Sequence, residues 1–333
     1  LTELGYSGDV YFAFRNNSYW MWTLFVDNIM VTEVNPDPDV AITNLFTSSF
    51  AAYGQEMHVA GAFKNNSGSN LTSLKVNWTI NGFGPYEEVF ENLDMPFLAS
   101  GVFTLTIPEQ VSATTVQVEG VNEVVAWVTE VNGGDDTDNS NDTASCEFEL
   151  SPEFTYYMNF DQFVDGDMTF IDNDDLTPGN NPAWNNWNIW SEGGEIFAAS
   201  VSYQAGGPVD MWMITPIVSI GADNFLFWNG KAYFDGNDEV LEVLVSTTGT
   251  EMADFTSLGI FHETSSVWSL RSVDLSAYEG QNIHIAFRGI SNSQTLNGVD
   301  NIEIKPFSGL DLGIVELTMT QFIGANDVNA VIG

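Results

Sequence analysis

The stretch Ile283–Arg288 reads Ile-His-Ile-Ala-Phe-Arg, and Val10–Arg15 matches it as Val-Tyr-Phe-Ala-Phe-Arg, 273 residues earlier in the chain. Apolar positions alternate with others in both copies, so Ile283, Ile285 and Phe287 would share one face of a strand. Similar alternation recurs along the chain between clusters of Gly, Asn and Asp, and no amphipathic helix of useful length is found. The sequence therefore predicts an all-β fold.

A second pair of segments keeps the same spacing. Val26–Ile29 and Val299–Ile302 both read Val-Asp-Asn-Ile and again lie 273 residues apart. Residues 1–61 and 273–333 are therefore two copies of one boundary region, and the chain covers a little more than one period of a tandem repeat. Because two strands cannot close a core, we expect the natural protein to continue on both sides of this segment.

The charge balance narrows the range of partners. Among 333 residues, 46 are Asp or Glu and only 7 are Lys or Arg, a net charge of −39. Such a chain cannot supply the basic patches that phosphates require, which excludes nucleic acid and disfavours anionic membranes. Aromatic residues make up 13% of the chain, which indicates folded domains and not an acidic tail. Bound Ca²⁺ or a salty medium would relieve the self-repulsion.

Residues 38–150 are predicted to form a seven-stranded sandwich, since strand runs and turns follow the spacing of an immunoglobulin-like module. The run Val131–Asp142 is rich in Gly, Asp and Asn and precedes the last strand. In these features the unit resembles the cell-adhesion-related domains of bacterial surface proteins. The clearest strand runs are 40–42, 58–63, 74–80, 103–105 and 124–128.

Residues 152–306 carry a more specific set of ordered blocks. They begin with Asn-Phe-Asp at 159–161 and Ile-Asp-Asn-Asp-Asp at 171–175, and they end with Ala-Phe-Arg at 286–288 and Val-Asp-Asn-Ile at 299–302. In this order the unit resembles the cleaved-adhesin family, the jelly-roll modules of gingipain haemagglutinin regions and of many Bacteroidetes surface proteins. The blocks between are Ala199–Tyr203, Trp212–Pro216, Leu244–Gly249, Asp254–Phe255, Trp268 and Val273–Gly280.

The resemblance implies a jelly-roll β-sandwich alternating with an immunoglobulin-like β-sandwich in a tandem repeat. It also implies an extracellular, cell-surface protein exported by the Bacteroidetes type IX secretion route. The predicted domains are the end of a truncated jelly roll at 1–35, an immunoglobulin-like sandwich at 38–150, a complete jelly roll at 152–306, and the start of a further immunoglobulin-like domain at 309–333.

Structural calcium is also implied by the resemblance, and hard oxygen donors spaced by one residue on a turn suit Ca²⁺. Asp172, Asp174 and Asp175 form such a turn, and Asp161 and Asp300 could complete a cage from the first and last strands. The alternative is that they are solvated turn residues, since Asx turns favour Asp and Asn. In the partial copy the equivalent of Asp300 is Asp27.

Two other acidic turns are weaker candidates. For the run Asp235–Glu239, calcium binding and an ordinary turn stay open. For Asp135, Asp136, Asp138 and Asp142 we expect solvated turn residues.

Tryptophans form the other notable pattern. Trp184, Trp187 and Trp190 recur every third residue, and Trp20 and Trp22 crowd a turn of the first copy. Exposed, they could stack on sugar rings and form a ligand-contact face. The favoured alternative is that they fill the jelly-roll core or a seam between domains.

Catalytic organisation is missing from the sequence. His58, His262 and His284 are scattered, and neither a zinc-type His pair nor a nucleophile with a spaced His partner occurs, although a carboxylate-pair glycosidase stays conceivable. We therefore predict a non-catalytic, calcium-stabilised repeat segment of a large secreted adhesin or stalk. Its partners would be neighbouring repeats of the same chain, and glycans or surface proteins. An ancillary binding region of a secreted hydrolase, or a subunit of an extracellular filament, are the alternatives.

Overall fold

A computed structural model describes residues 37–52, 55–107 and 119–307, together with the single residues 11, 13 and 15. The regular structure in these ranges consists of 21 β-strands and four short 3-10 turns, so the prediction of an all-β fold is confirmed. No helix in the described ranges has the length and apolar character needed to cross a membrane. The predicted partial domains at 1–35 and 309–333 lie outside the described residues, apart from the three single ones.

The first unit is a sandwich of two sheets. One sheet has the order β1-β3-β6, and the other has the order β2-β9-β7-β4-β5 with β8 added to β7. The pairing is antiparallel except between β2 and β9, which run parallel. The strands are β1 Val40–Thr47, β2 Phe50–Ala52, β3 Met57–Asn65, β4 Leu71–Ile80, β5 Phe83–Met95, β6 Ser100–Ile107, β7 Gly120–Val131, β8 Gly134–Asp135 and β9 Thr143–Ser151.

Alternating apolar residues fill the space between these two sheets. Val76, Trp78 and Ile80 on β4 are all buried in one cluster, as their period-2 spacing predicts. Gly61 on β3 makes room for the ring of Phe103, its partner on the neighbouring strand β6, because a Cβ atom at Gly61 would lie 2.0 Å from that ring. All five strand runs expected in this unit fall within its strands.

The second unit is also a two-sheet sandwich. Its sheets have the orders β12-β13-β21-β16-β19, with β10 added to β21, and β11-β14-β20-β17-β18, with β15 added to β20. All pairing is antiparallel. The strands are β10 Tyr156–Met158, β11 Thr169–Asp172, β12 Asn188–Glu192, β13 Glu195–Val201, β14 Met211–Ile214, β15 Val218–Ser219, β16 Asn224–Ala232, β17 Glu239–Ser246, β18 Thr256–Glu263, β19 Ser269–Asp274, β20 Asn282–Gly289 and β21 Leu296–Pro306.

The core of the second unit takes side chains from both sheets. Ile283, Ile285 and Phe287 on β20 are fully buried, which confirms the shared face expected from the repeated stretch. Trp228 on β16 packs edge-on against Phe287, with ring centroids 5.6 Å apart. The apolar surface buried between the two sheets provides the main stabilisation of such a sandwich.

The two units meet in a packed joint. The Gln55 amide group donates to the carbonyl of Tyr157 and accepts from its N–H, both at 3.2 Å. Phe50 packs edge-on against the Tyr157 ring at 5.9 Å. Beside them, His58 Nδ1 and Asp167 Oδ1 lie 3.1 Å apart, and both side chains are buried. The joint therefore combines polar and apolar contacts that position one sandwich against the other.

Candidate functional site

An acidic pocket lies where the chain leaves β10 and passes the last strand. Asn159 and Asp161 follow β10 directly, next to β21. Asp300 stands on β21 at a bulge, where the register against β16 slips and Asn301 takes a φ of 48°. Such a bulge re-aims a side chain out of the regular ladder. Glu195, the first residue of β13, also lines the pocket, together with Gly194, Ile196, Asn229, Trp268 and Asn301.

The electrostatics of this pocket are unfavourable for carboxylates alone. The pKa of Asp300 is raised to about 7, chiefly by burial and also by the charges of Asp161 and Glu195, against the opposing effects of the Asn301 N–H and Lys231. The Oδ1 atom of Asn159 is buried and has no hydrogen-bond partner, while its Nδ2 donates to Asp161 at 3.0 Å. A bound cation would stabilise both the buried oxygen without a donor and the destabilised carboxylate beside it.

The donor set of the pocket fits calcium. Carboxylate and amide oxygens from Asn159, Asp161, Glu195 and Asp300 are hard ligands of the kind Ca²⁺ prefers, and the pocket offers no thiolate or imidazole. Across the described ranges, no three His, Cys, Asp or Glu side chains converge as a finished metal cage. An ion here would therefore need the amide oxygen, backbone carbonyls or water to complete its shell.

The structure does not bring together the five aspartates expected to form one cage. Asp172, Asp174 and Asp175 lie at the end of β11 in the other sheet, whereas Asp161 and Asp300 belong to the pocket on β21. Asp172 accepts from the Asp174 N–H at 3.2 Å, and Asp174 accepts from the Leu176 N–H at 2.6 Å and from the Asp210 N–H. Asp175 is exposed. The prediction of a single cage is therefore wrong. The five aspartates form one pocket and one separate Asx turn, because the two groups lie on different sheets.

A charged cluster holds the Asx turn against the sandwich. Arg288 donates from Nε and Nη2 to the two carboxylate oxygens of Asp210 at 2.6 and 2.9 Å, and from Nη1 to Glu242 at 3.0 Å. Burial raises the pKa of Asp210, but the hydrogen bonds from Arg288 and Asn173 outweigh it, and the net shift is downward. The pairing of Arg288 with carboxylates is therefore a structural anchor.

The loop Asp235–Glu239 is satisfied by its own hydrogen bonds. Asp235 accepts from the Ser266 N–H at 2.7 Å, and Asp238 lies 2.7 Å from His262 Nδ1. Glu239 is buried and accepts from the Thr295 N–H at 2.6 Å. These contacts favour the turn interpretation for this loop.

The three spaced tryptophans have different environments. Trp187 is 2% exposed and its Nε1 donates to the carbonyl of Met211 at 3.0 Å, so its inclusion among the ligand-contact aromatics is corrected to a core position. Trp184 and Trp190 are partly buried, with ring centroids 6.3 Å apart, beside a small cluster centred on Phe197. Trp268 joins the same cluster and donates to Glu195 at 2.9 Å. Asp27, Trp20 and Trp22 lie outside the described residues.

Each histidine contacts a carboxylate or a backbone carbonyl. His58 pairs with Asp167 in the joint, His262 with Asp238 in a loop, and His284 with the carbonyl of Thr215 at 2.9 Å.

Sequence reasoning missed Glu195 as a member of the acidic pocket. Its signal was weak, since it is one of 46 acidic residues and follows only a Gly-Gly turn. The antiparallel pairing of β13 with β21 is what puts it near Asp300. Asn159 was recognised only as part of the opening block at 159–161.

Comparison with known proteins identifies the second unit. Residues 157–304 match the Cleaved Adhesin Domain family. Among solved structures, the K3 cleaved adhesin domain of Lys-gingipain from Porphyromonas gingivalis is 18% identical, with a TM-score of 0.38, and the match covers 46% of this chain and 99% of that domain. This match confirms the resemblance to the cleaved-adhesin family that the ordered sequence blocks predict for the second unit.

Other solved structures are also similar. The CARDB domain of a Pyrococcus furiosus protein, in complex with di-metal ions, is 18% identical with a TM-score of 0.28, covering 36% of this chain and 95% of that one. A family 11 carbohydrate-binding module from Clostridium thermocellum, in complex with a mixed-linked tetrasaccharide, is 12% identical with a TM-score of 0.30, covering 45% and 94%. No curated protein matches the chain significantly.

Proposed function

We propose that this chain is a non-catalytic, calcium-stabilised segment of a secreted cell-surface adhesin or stalk. The observation that carries the proposal is the match of residues 157–304 to the cleaved adhesin domain.

Calcium has a defined place in this proposal. The carboxylates of Asp161, Glu195 and Asp300 and the amide oxygen of Asn159 would hold the ion in the acidic pocket. A bound Ca²⁺ supplies positive charge that neutralises these oxygens. These residues lie on the loop after β10, at the start of β13 and on the bulge of β21. An ion that neutralises their charges would therefore hold the first and last strands of the jelly roll together.

The binding surface proposed for this module is the aromatic group formed by Trp184, Trp190 and Trp268. These rings are partly exposed and lie around the buried Phe197. Partly exposed aromatic rings offer rigid apolar area with a polar edge, which suits sugar rings and protein surfaces alike. Glycans or surface proteins are therefore the proposed external partners.

The spacer role rests on the joint between the two sandwiches. The contacts of Gln55 and Phe50 with Tyr157, and of His58 with Asp167, would hold neighbouring sandwiches in one relative orientation. Repeated along a tandem array with the domain boundaries proposed above, such joints would produce an extended surface structure whose partners include its own neighbouring repeats. Type IX export from a Bacteroidetes cell is the proposed route.

An ancillary region of a secreted hydrolase is the competing proposal, and a filament subunit is another. The sequence that flanks this segment in the natural protein distinguishes the adhesin from the hydrolase. Further repeats would support an adhesin array, and a catalytic domain would support the hydrolase. Electron microscopy of the native source tests the filament.

The calcium arm is tested by melting the purified chain in EGTA and in millimolar Ca²⁺. We expect Ca²⁺ to raise the melting temperature of the wild type and of Asp172→Asn, the matched control at the Asx turn, and to raise it less in Asp300→Asn. Equal responses of all three proteins would contradict calcium at the pocket.

The adhesive arm is tested on glycan arrays and immobilised extracellular proteins. We expect a Trp184→Ala, Trp190→Ala double variant to lose binding that Ile260→Ala retains, because Ile260 is an exposed apolar residue on the other sheet. Binding that survives the double variant would remove the aromatic group from the proposal.

A further inference from the structure

A second group of acidic side chains lies in the immunoglobulin-like unit, away from the jelly-roll pocket. Asp39 immediately precedes β1, and Asp136 and Asp142 lie in the segment between β8 and β9. The sequence predicts solvated turn residues for Asp136 and Asp142, and this is wrong: their exposed fractions are 6% and 2%, and that of Asp39 is 6%.

The segment 135–142 is built against the start of the first strand. Asp136 accepts from the Val40 N–H at 2.9 Å and from the Asp138 N–H at 3.0 Å. Thr137 donates from its N–H and its hydroxyl to the carbonyl of Pro38, at 3.0 and 2.7 Å. These bonds fix the backbone of the segment and the Asp136 side chain against the start of β1.

Three oxygen atoms within this group have no hydrogen-bond partner. They are both carboxylate oxygens of Asp142 and Oδ1 of Asn141, all buried. The Asn141 amide nitrogen donates to Asp39 Oδ1 at 3.1 Å, which orients the group and leaves Oδ1 as an acceptor only. An acidic cluster by itself is common on turns, but a buried carboxylate with two bare oxygens requires a compensating charge.

No Lys, Arg or His among the described residues supplies that charge. None of the ion pairs found in the described ranges includes Asp39, Asp136, Asp138 or Asp142. The pKa of Asp142 is raised to about 7, chiefly by burial and also by the neighbouring charges of Asp136, Asp39 and Asp138. A proton would neutralise one carboxylate but would leave the Asn141 oxygen and the other charges uncompensated.

We propose that this group is a second divalent-cation site, in which Asp142, Asp136 and the amide oxygen of Asn141 bind Ca²⁺ and Asp39 contributes charge beside them. The donors are all oxygen, which selects a hard cation over zinc. As in the jelly-roll pocket, the carboxylates alone form no finished cage, so water completes the shell. The opening is lined by Trp127, Thr129 and Asn139.

Binding here would lock the segment 135–142 onto the beginning of β1. Because Pro38 and Val40 are already bonded to this segment, the ion would stabilise the point where the chain enters the immunoglobulin-like unit. The site is independent of the jelly-roll pocket, which belongs to the other unit.

Terbium luminescence tests the proposal, since Tb³⁺ replaces Ca²⁺ at oxygen sites and Trp127 lies at the opening to sensitise it. The whole chain carrying Asp300→Asn is used, so that the jelly-roll pocket contributes little. We expect sensitised emission that Ca²⁺ displaces, and Trp127→Phe should dim the emission without changing Ca²⁺ affinity measured by calorimetry.

The decisive variant is Asp142→Asn, which keeps the size of the side chain. We expect it to weaken Ca²⁺ affinity at least about tenfold, because ligand charge sets affinity at such sites. Asp94→Asn, an exposed change elsewhere in the same unit, should leave affinity unchanged. Circular dichroism establishes that each variant is folded, and Asp142→Ser serves if the amide does not fold.

Three results would overturn the proposal. They are unchanged affinity in folded Asp142→Asn, a complete loss of Ca²⁺ binding in Asp300→Asn alone, and emission that Ca²⁺ does not displace. Complete loss of Ca²⁺ binding in Asp300→Asn alone would still support calcium binding at the jelly-roll pocket. Loss of binding only in Asp142→Asn would instead argue against calcium at the jelly-roll pocket.

Discussion

Replacing Asp300 by asparagine should stabilise the calcium-free protein at pH 8. In the folded state the pKa of Asp300 is raised from 3.8 to about 7, chiefly by burial and then by Asp161 and Glu195. The folded state therefore holds a proton that the unfolded chain has already released. Stability from this group is complete below the unfolded pKa and is lost as the pH rises through the folded one. Asparagine keeps the acceptor for the Asn301 N–H and carries no charge.

The magnitude follows from the difference between the two pKa values. A pKa difference of about 3 corresponds to ~4 kcal/mol between the two protonation states. Solvent that reaches the partly exposed carboxylate screens this energy, so we expect on the order of 1–2 kcal/mol. The gain should be present at pH 8 and nearly absent at pH 4, where aspartate and asparagine are both neutral in the folded state.

Urea unfolding in EGTA at pH 4, 6 and 8 measures this effect, with the free energy of unfolding extrapolated to zero denaturant. The comparison is made in an Asp142→Asn background, because the pKa of Asp142 is also about 7 and would add its own pH dependence. In millimolar Ca²⁺ at pH 8 the order should reverse, since the variant lacks a ligand. If Asp300→Asn is no more stable than its parent in EGTA at pH 8, the carboxylate is not destabilised by its surroundings and the reasoning fails.

Three other changes probe packing and anchoring. Gly61→Ala should destabilise the immunoglobulin-like unit by about 1–3 kcal/mol in urea unfolding, because the new methyl group meets the Phe103 ring; a neutral result would contradict the close approach. Trp187→Ala should cost about 3–5 kcal/mol and Trp190→Ala much less, so equal losses in calorimetry would contradict their different burial. Arg288→Met should cost about 3–5 kcal/mol at pH 7, because it leaves two partly buried carboxylates unpaired, and should recover in part at pH 3; a loss independent of pH would argue against the ion pairs.

Much of the fold follows from local patterns. Period-2 alternation identifies the strand at 283–288, and the structure buries its apolar residues as expected. The order of short sequence blocks identifies the jelly roll, because each block lies at a strand or turn that the sandwich requires. These features depend on neighbours along the chain, which a sequence displays directly.

The sites depend on contacts between distant strands, and there the sequence is less informative. Asp172 and Asp300 look equally suited to calcium, yet one ends a strand of one sheet and the other lies on a bulge of the opposite sheet. Trp184, Trp187 and Trp190 have equal spacing, but only the middle one turns inward. Asp142 resembles any turn aspartate in the sequence, and only the structure shows that its side chain is buried where the segment pairs with β1 and β7.

The parallel pairing of β2 with β9 has a mechanical consequence. Because Phe50–Ala52 lies near the beginning of its sandwich and Glu149–Ser151 at its end, tension along the chain pulls these neighbours in opposite directions along their axes. Their hydrogen bonds are then loaded together in shear, where an antiparallel pair pulled from the same edge would open one bond at a time. A tether built from such units would resist stretching at this short ladder, next to the joint that passes the load to the following sandwich.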